Sequence, residues 1–138
     1  MNEKILETAV QYKKDSFFTY AEFTDEVRVK AEKILSVILP EQYVEYLKAF
    51  GHGGVAGVEI LGIGCDASMI FVDSTMLYRG YGLPKNLVVV ENCDEWLYCV
   101  DCANGTVVSW EIDGDVKPEF DCFDDFVLSE FADAIENL

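Results

Sequence analysis

"NLVVVENCDEWLYCVDCANGTVVSWEIDGDVKPEF", residues 86–120, contains four short runs rich in β-branched and aromatic residues, a composition typical of β-strands. Asn104-Gly105 separates two of these runs and Asp113-Gly114 separates the next two. Such pairs favour the tight turns of hairpins, because their residues tolerate positive φ. Apolar side chains alternate along residues 107–112, as on a half-buried strand. The stretch therefore predicts an antiparallel meander.

Helical patterns stand on both sides of this meander. Residues 2–14 predict a short opening helix, and residues 24–39 predict a second one with Thr24 as its N-cap. The closing residues 121–138 predict a further helix that is capped by Asp121. The face of the second helix that we expect to be buried holds Val27, Ala31, Ile34, Leu35 and Ile38.

The segment between the second helix and the meander contains one more clear helix. It begins at Pro40 and ends at Gly51, with a stripe of large apolar side chains expected to be buried: Tyr43, Tyr46, Leu47 and Phe50. Residues 57–64, "GVEILGIG", predict a strand, and residues 66–84 predict a helix. Helices around a consecutive antiparallel sheet indicate an α+β fold, and the absence of a linker-like segment predicts a single domain over residues 1–138.

Composition favours a folded domain outside the membrane. The chain has 138 residues, of which 51% are hydrophobic and 13% aromatic, so it can build a core without a metal or disulfides. Its start, "MNEKILETAV", carries charges where a secretion signal needs an apolar segment, and no apolar run is long enough to span a bilayer. We therefore expect a soluble, cytoplasmic protein.

The five cysteines have an odd count, which favours reduced thiols. Cys99 and Cys102 form one C-x-x-C pair, and Cys93 and Cys122 are the only further thiols that could complete a four-thiolate zinc site with them. They lack a second paired spacing, and no thioredoxin-like context surrounds the pair. The sequence therefore predicts small side chains in the core.

Acidic residues are concentrated in the second half of the chain. The formal net charge is −16; residues 91–138 hold 14 acidic residues and one base, Lys117, for a net charge of −13. Such a charge repels nucleic-acid phosphates and anionic membranes, and it attracts cations or a basic protein surface. The alternative is that the acidity only maintains solubility.

Catalytic constellations are scarce in this sequence. His52 is the only histidine, and it lies in "FGHGG" at a helix end, where a polar ring is easily solvated. Pairs of carboxylates are abundant, but so acidic a chain contains such pairs by chance, and the spacing around Gly114 is not that of an EF-hand loop. We expect no enzyme, no cofactor and no metal site, with a carboxylate-dependent hydrolase or metal-binding enzyme as the least favoured alternative.

Taken in order, these segments resemble the SUKH superfamily of small α+β domains. The resemblance covers about residue 24 to the end, and its landmarks are Leu39-Pro40, Gly53-Gly54, Gly82-Leu83-Pro84 and Asp101 before the Asn104-Gly105 turn. It implies an immunity protein that binds and neutralises a cognate polymorphic toxin, often a nuclease. The alternative that it implies is a regulatory or scaffolding module with the same fold.

The resemblance supplies no partner-binding residues for either function. We therefore infer candidate residues from the acidic second half of the chain. A toxin that binds nucleic acid has a basic site, and carboxylates facing it would speed the encounter and fix the register. The candidate partner-binding residues are Asp94, Glu95, Asp113, Asp115, Glu119, Asp124 and Asp125. The sequence does not indicate an oligomeric state.

Overall fold

The computed structural model describes all residues from Met1 to Leu138. In chain order the elements are α1 (Glu3–Gln11), a 3₁₀ turn (Lys13–Asp15), β1 (Ser16–Phe18), α2 (Asp25–Leu35), α3 (Glu41–Phe50), β2 (Gly53–Val55), α4 (Ile70–Arg79), β3 (Leu87–Asn92), β4 (Leu97–Asp101), β5 (Val107–Trp110), β6 (Lys117–Phe120) and α5 (Phe123–Glu136). The α+β class is confirmed.

The meander is confirmed as a four-stranded antiparallel sheet in the order β3-β4-β5-β6. Tyr98 pairs with Ser109, and Cys99 pairs with Val108. Because successive antiparallel strands reverse direction, the β3–β4 and β5–β6 turns lie at one end of the sheet and the β4–β5 turn lies at the other. This arrangement decides which acidic residues become neighbours.

Helices cover the sheet. The ring of Phe126 on α5 packs 5.1 Å from that of Tyr98 and 5.6 Å from that of Phe120. Next to the outer strand β3, the hydroxyl of Thr75 on α4 accepts a hydrogen bond from the N–H of Val89 at 3.0 Å. Residues 87–91 of β3 are all buried, as expected for a strand that is covered on both faces.

The strand predicted over residues 57–64 is wrong. Ile60 and Ile63 form single bridges, with Gly53 and Met69 respectively, and the strand of this region is β2, which pairs with β1. The backbone of 57–64 distributes its hydrogen bonds among several segments, and the N–H of Leu61 donates to the C=O of Val90 at 2.8 Å. The segment is a joint that connects the two sheets.

The helix predictions are confirmed except at their ends. The side chain of Thr24 caps α2 by accepting a hydrogen bond from the N–H of Val27 at 3.1 Å. Ile34 is 41% exposed and Ile38 is 76% exposed, contrary to expectation. Ile38 is exposed because α2 ends at Leu35 and the chain leaves the helical path at Ser36 (φ 55°). The stripe expected to be buried on α3 is buried throughout.

Asp121 does not cap α5. The N-cap position is Cys122, whose side chain makes no capping hydrogen bond. Instead, the N–H of Asp124 in the first turn donates to the side-chain Oε1 of Gln42 on α3 at 2.9 Å. The hydrogen-bond acceptor for the first turn of α5 therefore comes from another helix, whereas the sequence had suggested the neighbouring residue Asp121. None of the five helices combines the length and the apolar composition needed to cross a membrane.

Candidate functional site

The two turns that meet at one end of the sheet form a strongly acidic part of the surface. We call this the double-turn end, and it comprises residues 93–96 between β3 and β4 and residues 111–116 between β5 and β6. Every residue in it except Cys93 is exposed, and it contains no lysine or arginine. Its carboxylates are those of Asp94, Glu95, Glu111, Asp113 and Asp115.

A cleft of about 220 Å³ opens between these two turns. Of its lining residues, Leu97 and Trp110 are each 4% exposed, whereas Trp96 and Ile112 are 36% and 48% exposed. The lining residues are Tyr78, Asp94, Glu95, Trp96, Leu97, Trp110, Glu111 and Ile112. The cleft thus combines aromatic and aliphatic side chains with three carboxylates, those of Asp94, Glu95 and Glu111.

The structure brings together four of the seven candidate carboxylates, because Asp94, Glu95, Asp113 and Asp115 all lie at the double-turn end. Glu119 lies on β6 along the edge of the sheet, where it accepts a hydrogen bond from the hydroxyl of Ser109 at 2.8 Å. The carboxylate of Glu119 therefore already has a hydrogen-bond partner on the neighbouring strand.

The remaining two candidates lie at the opposite end. β6 runs away from the double-turn end, so the start of α5 with Asp124 and Asp125 lies near the β4–β5 turn. Asp124 is only 8% exposed, and its Oδ2 accepts a hydrogen bond from the N–H of Asn2 at 2.9 Å. Asp125 is exposed. The seven residues therefore do not form one continuous surface.

The largest cavity, about 440 Å³, also lies at that opposite end. It is bordered by the start of α3, the β4–β5 turn and the connection from β6 to α5. Of its two carboxylates, Glu41 forms an ion pair with Arg28 at 2.6 Å, which leaves Asp121. This cavity is therefore less suited to attract a cation than the cleft at the double-turn end.

The two thiols of the C-x-x-C pair are held in an unreactive state. Burial raises the pKa of Cys99 and of Cys102 to about 12, so both side chains of the C-x-x-C pair are thiols at neutral pH. All five cysteines are free; Cys99 is buried as expected, but Cys65 is exposed. No three His, Cys, Asp or Glu side chains are arranged so that they could hold a metal ion.

His52 is buried, contrary to the expectation of a solvated ring. Its Nδ1 accepts a hydrogen bond from the N–H of Gly62 at 2.9 Å, and its Nε2 lies 3.7 Å from the carboxylate of Glu59. His52 as a whole is 6% exposed. Its ring helps to hold β2 against residues 60–63. Its role in the structure is therefore to satisfy a buried backbone donor.

One unusual titrating pair was missed by sequence reasoning. Glu91, at the end of β3, is 8% exposed and lies against Glu130 on α5. Burial and the neighbouring Glu130 raise the pKa of Glu91 to about 8, and burial likewise raises the pKa of Glu130. The signal in the sequence was a single carboxylate directly after the apolar run "LVVV".

A comparison with protein families finds a match over most of the chain. The family model SUKH_5, described as "SMI1-KNR4 cell-wall", matches residues 2–132. The match therefore includes α1 and β1, which lie before the region of resemblance noted from the sequence, and both turns of the double-turn end.

Proposed function

Because the chain belongs to the SUKH (SMI1-KNR4) family, we propose that it is an immunity protein that neutralises a cognate toxin by stoichiometric binding. It acts in the cytoplasm, and the toxin presents a basic surface, as a nuclease domain does where it holds phosphate. The chain blocks that surface without catalysing a reaction.

The observation that carries this proposal is the concentration of unpaired negative charge at the double-turn end. The ion pairs of the protein involve Glu45, Arg28 with Glu32 and Glu41, Lys48 with Asp25, and His52 with Glu59. None involves a carboxylate of the double-turn end. A basic partner therefore finds these groups without a competing internal cation, and this favours fast association and a defined orientation.

The states of the reactive groups favour binding over catalysis. An active nucleophile needs a lowered pKa or an adjacent base. Here the C-x-x-C thiols have raised pKa values, and the Nδ1 of the only histidine accepts a backbone hydrogen bond. The carboxyl pair of Glu91 and Glu130 lies between β3 and α5, and neither residue lines either of the cavities described above.

Co-expression tests the proposal. The C-terminal domain of a large secreted protein encoded beside this gene is produced in a sensitive host, with and without the chain. We expect growth to be restored by the chain and a 1:1 complex to be recovered by size-exclusion chromatography. A toxic domain that stays toxic, or a complex that fails to form, would refute the proposal.

A second function is favoured by the words that describe the family. "Cell-wall" points to a regulatory or scaffolding module with the same fold. In that case affinity purification from the native host recovers a non-toxic partner, and co-expression with the neighbouring toxin domain gives no protection. The two experiments therefore separate the two functions.

A further inference from the structure

We propose that the cleft at the double-turn end is a receptor for one arginine side chain presented by the partner protein. The inference rests on the proposed function for the kind of partner, a protein with a basic surface. It adds the specific contact: the guanidinium group lies against Trp96, the accessible tryptophan of the cleft, and is held by the carboxylates of the rim.

The size of the cleft suits one side chain. Pockets for small-molecule ligands typically have volumes of roughly 300–1,000 Å³. The cleft encloses about 220 Å³ and is open to solvent between two exposed turns. A single long side chain on a partner loop can enter such a space, whereas a cofactor or nucleotide is too large to be enclosed.

The residues that line the cleft can contact both the apolar stem and the charged guanidinium group of an arginine side chain. Its apolar stem can pack on Ile112 and on the edge of Trp96, which are partly exposed. Tryptophan is the aromatic side chain that attracts a cation best. The ring of Trp96 is already supported by Tyr98, with 6.1 Å between ring centroids and an interplanar angle of 89°, so little conformational freedom is lost on binding.

The charges of the cleft select a cation. Asp94, Glu95 and Glu111 line it, and no base does. The only base of residues 91–138, Lys117, lies on β6 opposite Ser109 and outside the lining. Phosphates and membrane headgroups of negative charge are repelled by this rim, which leaves a basic side chain as the occupant.

Arginine fits better than lysine. A guanidinium group is planar, is less strongly hydrated than an ammonium group, stacks on aromatic faces and donates to two carboxylate oxygens at once. The cleft offers both an aromatic surface and several carboxylates. A lysine can gain the charge attraction and a cation–π contact but neither the planar stacking nor the paired hydrogen bonds, so the cleft should discriminate between the two.

The two tryptophans of the chain both line this cleft, which makes a direct test possible. The full-length chain is labelled with ¹⁵N and titrated with the blocked tripeptide Gly-Arg-Gly. The control peptide Gly-citrulline-Gly keeps the shape and loses the charge, and Gly-Lys-Gly keeps the charge alone. The two indole N–H signals are assigned with the variant Trp96→Phe.

We expect saturable shifts of both indole signals with the arginine peptide and none with the citrulline peptide. The lysine peptide should bind several-fold more weakly. Glu111→Gln should weaken binding of the arginine peptide, whereas Asp121→Asn, the same charge change at the opposite end, should leave it unchanged. Equal shifts with citrulline, or linear shifts spread over the whole acidic surface, would overturn the proposal.

The toxin complex provides the second measurement. In a double-mutant cycle, Glu111→Gln should couple to one arginine of the toxin domain and not to its other basic residues. If the chain protects cells but its cleft binds no arginine and shows no such coupling, the receptor is refuted while the immunity function stands. If no toxin domain binds, the peptide titration still tests the cleft itself.

Discussion

The carboxyl group of Glu91 on β3 lies against that of Glu130 on α5, inside the layer where the helix covers the sheet. Two carboxylates at such a position repel each other, and burial disfavours charge on either. Burial and Glu130 raise the pKa of Glu91 to about 8, so the pair retains a proton at neutral pH. The folded chain therefore binds a proton that the unfolded chain has released.

This pair makes stability fall as the pH rises. The unfolded carboxyl loses its proton near its ordinary pKa of 4.5, whereas the folded one loses it near 8. Between these values the folded state binds more protons, so the free energy of unfolding decreases with pH throughout this window. Since one pKa unit corresponds to about 1.4 kcal/mol, the shift from 4.5 to about 8 sets the loss that this pair can cause at up to about 5 kcal/mol.

The variant Glu91→Gln checks this effect. Its amide stays neutral and can donate to Glu130, so urea unfolding at pH 5 and pH 8 should show a smaller pH dependence than the wild type does. Glu119→Gln, an exposed change on β6, is the control for the loss of one charge. An unchanged difference between the two pH values in Glu91→Gln would mean that the pair does not hold the proton.

Gly62→Ala should destabilise the joint between the sheets severely. A Cβ at this position would lie 1.8 Å from the backbone oxygen of Gly51 and 2.9 Å from the side chain of Leu47. Neither neighbour is free to move, because the C=O of Gly51 accepts from the N–H of Ile63 and Leu47 is in the core. We expect a loss of about 3 kcal/mol or more in urea unfolding.

Gly80→Ala is the matched control for that change. Gly80 ends α4 with a φ of −63°, which alanine also adopts, and the nearest atom to its added Cβ is the oxygen of Leu77 at 3.1 Å. Its unfolding free energy should stay within about 1 kcal/mol of the wild type. If both variants lose equal stability, the close contact at Gly62 is not the cause.

The thiols should differ widely in reactivity. Cys65 is exposed, whereas burial raises the pKa of Cys93, Cys99 and Cys102 to about 12. Because the thiolate is the reacting form, iodoacetamide should modify Cys65 first and these three about a hundredfold more slowly. Mass spectrometry of short reactions measures this. Rapid joint labelling of Cys99 and Cys102, or an internal disulfide after mild oxidation, would contradict it.

Local patterns were sufficient to predict the elements of the meander and the buried stripe of α3. An Asx-Gly turn and a 3.6-residue period depend only on neighbours in the chain. The joint at residues 57–64 could not be predicted, because its hydrogen bonds go to Val90 and Gly51. The cap of α5 was missed for the same reason, since Gln42 on another helix provides it.

The candidate site could be predicted only in part, because its remaining features depend on tertiary contacts. Charge counting identified the acidic half of the chain, but only the strand register shows that Asp94 and Asp113 lie at the same end of the sheet and Asp125 at the other. None of the three aromatic residues that line the cleft, Tyr78, Trp96 and Trp110, carried a functional signal in the sequence. Trp96 and Trp110 line the same cleft because β4 and β5 pair Leu97 with Trp110, which is a tertiary relationship.

The division of the acidic residues into two ends yields a prediction about binding to the toxin domain. A variant with Asp94→Asn, Glu95→Gln, Asp113→Asn and Asp115→Asn loses four charges at the double-turn end. In stopped-flow measurements at low salt we expect association to slow about tenfold or more, because steering depends on charge near the contact. Raising the salt should slow the wild type toward the variant.

A second variant places charge loss at the opposite end, with Asp121→Asn and Asp125→Asn, both exposed positions. Those charges lie across the sheet from the proposed contact, and the Debye length is about 8 Å at physiological ionic strength, so their effect on the rate should be small. Because the two variants differ in the number of charges removed, the comparison is made per charge. Equal slowing per charge would mean that the toxin senses only the total charge, and greater slowing in the second variant would place the contact beside the α5 start.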